Sequence, residues 1–281
     1  MDARIEASGH DKRWSASFLN VLIGNQLVQK SNAPGHIAFL DSSLTLPCMK
    51  FAVISDIHGN LEGLTKAFEI IDARNVDQVY CLGDIIGYGA NPNECISMLR
   101  ARDVASIIGN HDQAVIDAAK AGTFNDFARK AVDWTARQLT SDNVDFLSHL
   151  PYTIVAHDCT FVHASPDKPE EWNYILSVYE AQEHFRFFST SICWFGHSHR
   201  SGVFCDDLKS KEVERGKRYM INVGSVGQPR NGDSRLSFGI FDTERWEYEH
   251  VVSEYNVELA RKKIIEAGLP VYLADRLLFG A

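Results

Sequence analysis

Apolar and polar positions fall into two spacings along this chain, and the switches between them lay out the elements. The run Phe51-Ala52-Val53-Ile54 is continuously apolar, as a strand buried on both faces of a parallel sheet is. Behind it Leu61, Leu64, Phe68 and Ile71 recur at helical spacing. The pattern then predicts a strand over 78–82, a helix over 92–102 with Pro92 in its first turn, and a strand over 104–108. That order is βαβαβ. Residues 124–150 return to helical spacing (Phe127, Ala131, Trp134, Leu139, Phe146, Leu147, Leu150) and should cover one sheet face, with the stripe Phe127, Ala131 and Trp134 in the core. Strand-like runs follow at 152–156, 160–163, 192–195, 202–206, 218–223, 236–241 and 246–252, which implies a second sheet. A helix over 257–267 stops at Gly268, and the tail from Leu269 should dock through Leu273, Leu277 and Leu278. Residues 1–48 are rich in Ser, Asn and Gly and only weakly periodic. They read as an N-terminal extension, disordered or a mis-assigned start with Met49 as the natural one, ahead of a single domain over 49–281.

Composition narrows the class. The 281 residues are 45% hydrophobic and 23% charged, which excludes disordered and fibrous chains. A net charge of -9 argues against a broad nucleic-acid grip, so no stable nucleic-acid complex is expected. Six cysteines (Cys48, Cys81, Cys95, Cys159, Cys193, Cys205) form no C-x-x-C pair and read as buried thiols of a reducing compartment. No apolar stretch reaches the roughly 18 residues of a membrane helix, and the apolar run from Phe18 to Val28 has neither the flanks nor the cleavage site of a secretory signal. The expected location is cytoplasmic, away from membranes. Neither G-x-S-x-G nor a G-K-S/T phosphate loop occurs, nor the H-x-H-x-D-H run of metallo-β-lactamases.

Candidate chemistry gathers in five short segments: Asp56-x-His58, Gly83-Asp84, Gly109-Asn110-His111-Asp112, His163, and Gly196-His197-Ser198-His199. The first three end the strands of the βαβαβ unit, and ligand sites of open α/β sheets collect at such carboxyl ends. Residues two apart on an extended chain point the same way, so Asp56 with His58, and His197 with His199, can each present two donors to one cavity. Two carboxylates, one amide oxygen and four imidazoles, with no thiolate, suit divalent first-row metals: manganese first, with iron, nickel, cobalt or zinc as alternatives. The set is too large for one ion. It matches a pair of ions about 3.5 to 4 Å apart, as in two-metal phosphoester hydrolysis.

In this order and spacing the motifs resemble the calcineurin-like metallophosphoesterases, whose D-x-H, G-D, G-N-H-D/E, H and G-H-x-H pattern is filled at every position. Gly83-Asp-Ile-Ile-Gly-Tyr-Gly-Ala-Asn-Pro-Asn-Glu94, Asn222-Val-Gly-Ser-Val-Gly-Gln-Pro-Arg230 and the tail around Gly268, Leu273 and Arg276 resemble a small bacterial and archaeal phosphodiesterase-like subgroup. The resemblance implies an α/β fold, a four-layer αββα sandwich of two mixed sheets flanked by helices. It also implies two divalent metal ions as cofactors, with Asp56, His58 and His199 on one, Asn110, His163 and His197 on the other, and Asp84 bridging. His111 is then the catalytic residue, with Asp112 orienting its ring. The implied reaction is in-line attack of a metal-bridging hydroxide on a small-molecule or nucleotide phosphodiester; phosphomonoester or dinucleoside-polyphosphate hydrolysis and a non-catalytic scaffold are the alternatives.

One departure bears on substrate. Where related protein phosphatases carry an Arg that clamps phosphate, this chain has Tyr88, and Arg230 is the candidate substitute, so both enter as substrate-binding residues. Ala164 stands where relatives often have Gly. The cleft walls are expected from the loop 87–93, the insert 165–189 with Trp172, Tyr174 and Tyr179, and the turn before Arg230. Asn91 and Glu94 read as the cap and first turn of a helix. His10, His36, His149, His157, His184 and His250 lie outside the pattern and receive no role.

Overall fold

The computed structural model describes residues 21–23, 26–29, 38–39, 49–208 and 212–281. The chain divides into two units, Met1–Leu46 and Pro47–Ala281. In the first, β1 (Val21–Ile23), β2 (Gln26–Gln29) and β3 (Ala38–Phe39) form an antiparallel sheet in that order. Most of the extension, with His10, His36 and Cys48, lies outside the described residues.

The second unit opens with the βαβαβ arrangement: β4 (Lys50–Ile54), α1 (Leu61–Ala73), β5 (Gln78–Cys81), α2 (Pro92–Ala101) and β6 (Ala105–Ser106). The last strand is shorter than its sequence pattern, because only Ala105 and Ser106 pair with β5. Asn60 caps α1 by accepting from the Gly63 N–H at 3.0 Å, which reverses the chain directly after Asp56-x-His58. Asn91 occupies the corresponding position before α2, yet its side chain makes no capping bond; Pro92 starts that helix. Next come α3 (Asn110–Ile116), α4 (Asp126–Gln138), α5 (Ser141–Ser148), β7 (Thr153–Ala156), β8 (Cys159–Val162), α6 (Val178–His184), β9 (Ile192–Phe195), β10 (Gly202–Cys205), β11 (Tyr219–Asn222), β12 (Leu236–Asp242), β13 (Glu247–Ser253), α7 (Val257–Glu266) and α8 (Val271–Asp275).

Two mixed sheets result, ordered β13-β12-β4-β5-β6 and β10-β11-β9-β8-β7. In the first, β4, β5 and β6 run parallel while β12 pairs antiparallel to β4; in the second, β8, β9 and β11 run parallel with antiparallel edges. Alternation along β4 decides the layers. Phe51 and Val53 face the second sheet and pack with Tyr80, Phe161, Trp194 and Ile221, whereas Ala52 and Ile54 face Leu64, Phe68 and Ile96 of the helices. Phe51 lies edge-on to Tyr80 at 5.4 Å and to Trp194 at 6.0 Å, geometry that aromatic quadrupoles favour. The far face of the second sheet, through Val162, Cys193, Phe195 and Met220, is covered by Ala181 of α6 and by Phe185 and Phe188. The architecture is the αββα sandwich.

Residues 124–150 correct the sequence reading in one respect. Leu147 of α5 joins the core above the first sheet, but α4 packs through Ala128 and Ala131 onto Ala260, Ile264, Leu273 and Leu277 of the C-terminal elements. Phe127 is not core: it is 41% exposed and stacks on Tyr272 at 4.7 Å, because the small alanines lie on the face that meets the tail. Trp134 is half-buried and donates to the Ala267 carbonyl at 3.0 Å. The tail docks through Leu273 and Leu277, while Leu278, expected with them, is only half-buried. Cys81, Cys95, Cys159, Cys193 and Cys205 are buried free thiols, and among the described residues no helix is long and apolar enough to cross a membrane.

Candidate metal centre

The carboxyl ends of β4, β5, β8 and β9, together with the start of α3, bring the five sequence segments to one place. Asp56, His58, Asp84 and His199 form one compact donor group, and Asp84, His163 and His197 form a second that shares Asp84. All six are buried. Asp56, His58, Asp84, His197 and His199 each adopt a positive φ, a conformation ordinary side chains avoid, so the site concentrates backbone strain that surrounding hydrogen bonds must hold. Close approach at the glycines is equally demanding: a Cβ on Gly109 would overlap Asp84, and one on Gly196 would overlap Ser55 and Asp56.

Backbone carbonyls set the histidine tautomers. Nδ1 of His58 donates to the Ile86 carbonyl at 3.1 Å, Nδ1 of His163 to the Leu82 carbonyl at 2.8 Å, and Nδ1 of His199 to the Gln228 carbonyl. Each ring therefore turns a bare Nε2 lone pair inward. Nε2 of His58 faces Nε2 of His199 at 3.1 Å, and Nε2 of His163 faces both Nδ1 of His197 and Oδ1 of Asn110 at 3.1 Å. Facing lone pairs repel unless a positive charge lies between them. Asp84 Oδ2 lies 3.5 Å from Nε2 of both His58 and His163, and Asp56 Oδ1, 3.2 Å from His199 Nε2, is buried without a hydrogen bond. The orphaned Asp56 oxygen and the converging lone pairs fit divalent cations on each side of Asp84. Burial raises both carboxylates, but when the facing imidazole carries a second proton, His199 beside Asp56 and His163 beside Asp84, its charge and hydrogen bond outweigh burial and hold the carboxylate below the usual range.

A frame of uncharged groups positions these ligands. Asp56 Oδ2 accepts from Ser55 Oγ at 2.7 Å and from the His197 N–H at 3.0 Å. Asn222 Nδ2 donates to the Gly196 carbonyl at 2.7 Å and to Ser198 Oγ at 3.0 Å, pinning the turn that carries His197 and His199. Ser225 Oγ donates to the Asp56 carbonyl at 2.8 Å. Ser55, Asn222, Ser225 and Gln228 were not assigned to the site from sequence, since nothing in a one-dimensional pattern shows which neighbour a Ser or Gln will hold.

His111 lies beside the first group, its ring 4.4 Å from Tyr88, 4.9 Å from His58 and 4.7 Å from Phe124. Burial pushes this imidazole down to about 4 against the pull of Asp84, and its Nδ1 has no hydrogen-bond partner. Asp112 corrects the sequence reading, because it does not reach the His111 ring. Its carboxylate accepts from the backbone N–H groups of Ile86 at 3.1 Å, Gly109 at 3.0 Å and Ile85 at 3.3 Å, clamping the Asp84 loop against the start of α3. Burial, then the Asp84 charge, pushes Asp112 up to about 7. Asp112→Ala strands three buried donors at about 1–3 kcal/mol each, so its melting temperature is expected to fall. An unchanged melting curve in calorimetry would mean that these N–H groups find other partners.

Beside the ligands lies a cavity of about 340 Å³ whose lining includes Tyr88, His111, Lys120, Phe124, Trp172 and Tyr174. Trp172 donates from Nε1 to Gln113 at 3.1 Å, and the Tyr174 ring stacks on His197 at 4.0 Å. Tyr179, expected in this wall, is instead 79% exposed on α6 and does not line the cavity. Lys120 and Phe124 were missed, their segment having no chemical signature. Arg230 donates to Gln228 Oε1 at 2.8 Å, and its guanidinium stands 5.7 Å from the Tyr88 ring centroid. Ala164 is buried behind His163. His149, His157, His184 and His250 take no part in either donor group.

Comparison with known proteins agrees with this geometry. The calcineurin-like phosphoesterase superfamily domain matches residues 49–245. An uncharacterized protein of Methanocaldococcus jannaschii is 38% identical over 239 residues, 82% of this chain and 97% of that protein. A metallophosphoesterase from Sphaerobacter thermophilus superposes with a TM-score of 0.74 at 36% identity, covering 83% of this chain and 100% of that one. A hypothetical protein from Pyrococcus horikoshii shares the fold, with a TM-score of 0.70 at 18% identity over 83% of this chain and 98% of that one. With its five motifs gathered on two ligand groups around one shared aspartate, the chain belongs to the calcineurin-like phosphoesterase superfamily.

Proposed function

We propose that this protein is a two-metal phosphodiesterase acting on a small-molecule or nucleotide phosphoester. The observation that carries the reading is the sharing of Asp84 between two buried donor groups, an arrangement that suits two neighbouring ions rather than one. Asp56, His58 and His199 would hold one cation and Asn110, His163 and His197 the other, with Asp84 available to both. Manganese is the proposed metal. When bound, the two ions neutralise phosphoryl charge and acidify water for in-line attack on phosphorus.

The chain's own groups do the rest. His111 faces the cavity and donates a hydrogen bond to a phosphoryl oxygen as charge builds there. Arg230, 5.7 Å from the Tyr88 ring centroid, supplies the guanidinium that the Gly83–Gly89 loop lacks. Trp172, Tyr174 and Phe124 line the cavity and offer ring faces to a flat group attached to phosphorus.

Hydrolysis of bis-p-nitrophenyl phosphate and p-nitrophenyl phosphate by chelator-stripped protein, with and without Mn²⁺, tests this. The expected result is turnover restored by Mn²⁺ and favouring the diester. A monoester preference moves the assignment to phosphomonoesterase, and stoichiometric metal with neither ester cleaved moves it to a non-catalytic scaffold.

A further inference from the structure

The insert that supplies Trp172 makes local contacts of its own: Lys168 pairs with Glu171 at 3.0 Å, and Glu171 also accepts from Asn173. Trp172 reaches further. Its indole N–H donates at 3.1 Å to Oε1 of Gln113, 59 positions earlier in the chain. The same amide donates from Nε2 to the Tyr152 hydroxyl at 2.5 Å, and the Tyr152 ring lies 5.7 Å from the Trp172 ring. Chemistry fixes the orientation of this amide. An indole nitrogen can only donate, so the Gln113 oxygen faces Trp172 and its nitrogen is left for Tyr152.

Gln113 belongs to the element that carries the chemistry. It lies on α3 about one turn after Asn110, so Trp172 is fastened to the helix that presents both Asn110 and His111. From there the indole reaches the second donor group. Its ring is edge-on to His163 at 5.7 Å, and it lines the cavity together with Asn110, His111 and His197. The backbone needs that fastening. Lys168 and Trp172, on either side of the short turn Pro169–Glu171, take left-handed φ values of 47° and 59°. Side chains of this size keep such a conformation only where their surroundings impose it.

We propose that Gln113 is a positioning residue for substrate specificity: by holding the Trp172 ring beside the second donor group, it makes the site prefer phosphoesters that carry an aromatic or heteroaromatic ring over those with small aliphatic groups. This rests on the phosphoesterase reading and narrows its substrate class. Gln113 does not itself line the cavity, so its effect passes through Trp172.

Phenylphosphonate and methylphosphonate, whose P–C bonds resist hydrolysis, test this by calorimetric titration of the full chain loaded with diamagnetic Zn²⁺. The wild type is expected to bind the phenyl compound about two- to tenfold more tightly, the range of one aromatic contact. Gln113→Leu brings that ratio close to one with methylphosphonate affinity kept, while Gln113→Glu, which retains an acceptor for the indole, keeps the ratio. In the same Zn²⁺-loaded protein the Trp172 indole proton, assigned by its loss in Trp172→Phe, should exchange slowly with solvent in NMR spectra of the wild type and rapidly in Gln113→Leu. An undiminished ratio in Gln113→Leu with wild-type melting overturns the proposal and leaves the aromatic wall standing, whereas a ratio of one in the wild type overturns both. If Gln113→Leu melts early, the other two proteins decide. Rapid indole exchange in the wild type, or a lost ratio in Gln113→Glu, then overturns the proposal, and slow exchange with a kept ratio upholds it. Binding of neither phosphonate removes the phosphoesterase reading and the proposal with it.

Discussion

Asp84→Asn is expected to release metal and abolish turnover together. The two carboxylate oxygens are committed to different tasks: Oδ1 accepts the His111 N–H at 2.8 Å, and Oδ2 sits 3.5 Å from His58 and His163, between the two donor groups. Asparagine preserves shape and one acceptor but removes the charge both cations share, and its amide N–H₂ would cap an imidazole lone pair that a cation needs. Groups that merely orient a ligand cost 10- to 100-fold in metal affinity when removed, so loss of a shared ligand should exceed about 10²-fold. Metal content after dialysis, measured by inductively coupled plasma spectrometry, reads this directly. A variant that retains two equivalents of metal per chain removes Asp84 from the bridging position, whatever its rate.

His111→Ala separates catalysis from assembly. The hydrogen bond from His111 to Asp84 comes from its backbone N–H, which alanine keeps, so both cations should remain at wild-type stoichiometry. What disappears is the imidazole between Tyr88, His58 and Phe124. The expected consequence is a fall in turnover of roughly 10²- to 10⁴-fold, the usual range for a positioned proton-bearing side chain. A rate within a factor of two of wild type, with metal retained, excludes His111 from the chemistry. Loss of metal in this variant would instead mean that the ring supports the ligand frame.

Asp112 shows how far a motif reading reaches. Adjacent to His111 in sequence, it invites the role of ring orienter, but residues next to each other at the start of a helix point about 100° apart, and its carboxylate turns to the Asp84 loop. The same limit explains Phe127, whose apolarity predicted burial although the small side chains of α4 occupy the face against the tail. In both cases the residue type was informative and the direction was not. Lys120 and Phe124 are the complementary failure. An exposed lysine and an aromatic after a turn have no spacing that marks them, and their position beside the cavity follows from the packing of α3 and α4.

The chain alone determined the two-sheet α/β class and the metal-ligand candidates. Strand burial follows from continuous or alternating apolar runs, and although one Asp, Asn or His beside a glycine at a strand end is usually structural, five such segments in this order point to metal. Tertiary structure decided which lone pairs face one another, because tautomers depend on carbonyls of Leu82, Ile86 and Gln228 that lie 28 to 81 positions away in the chain. It also decided the substrate side of the cleft, where Tyr174 crosses to His197 and the tail brings Arg276 beside Tyr88. Metal binding is written in local residue types, since each ion needs specific donor atoms. Recognition of the phosphate's surroundings depends on side chains contributed by distant segments, and only folding puts those within reach of one another.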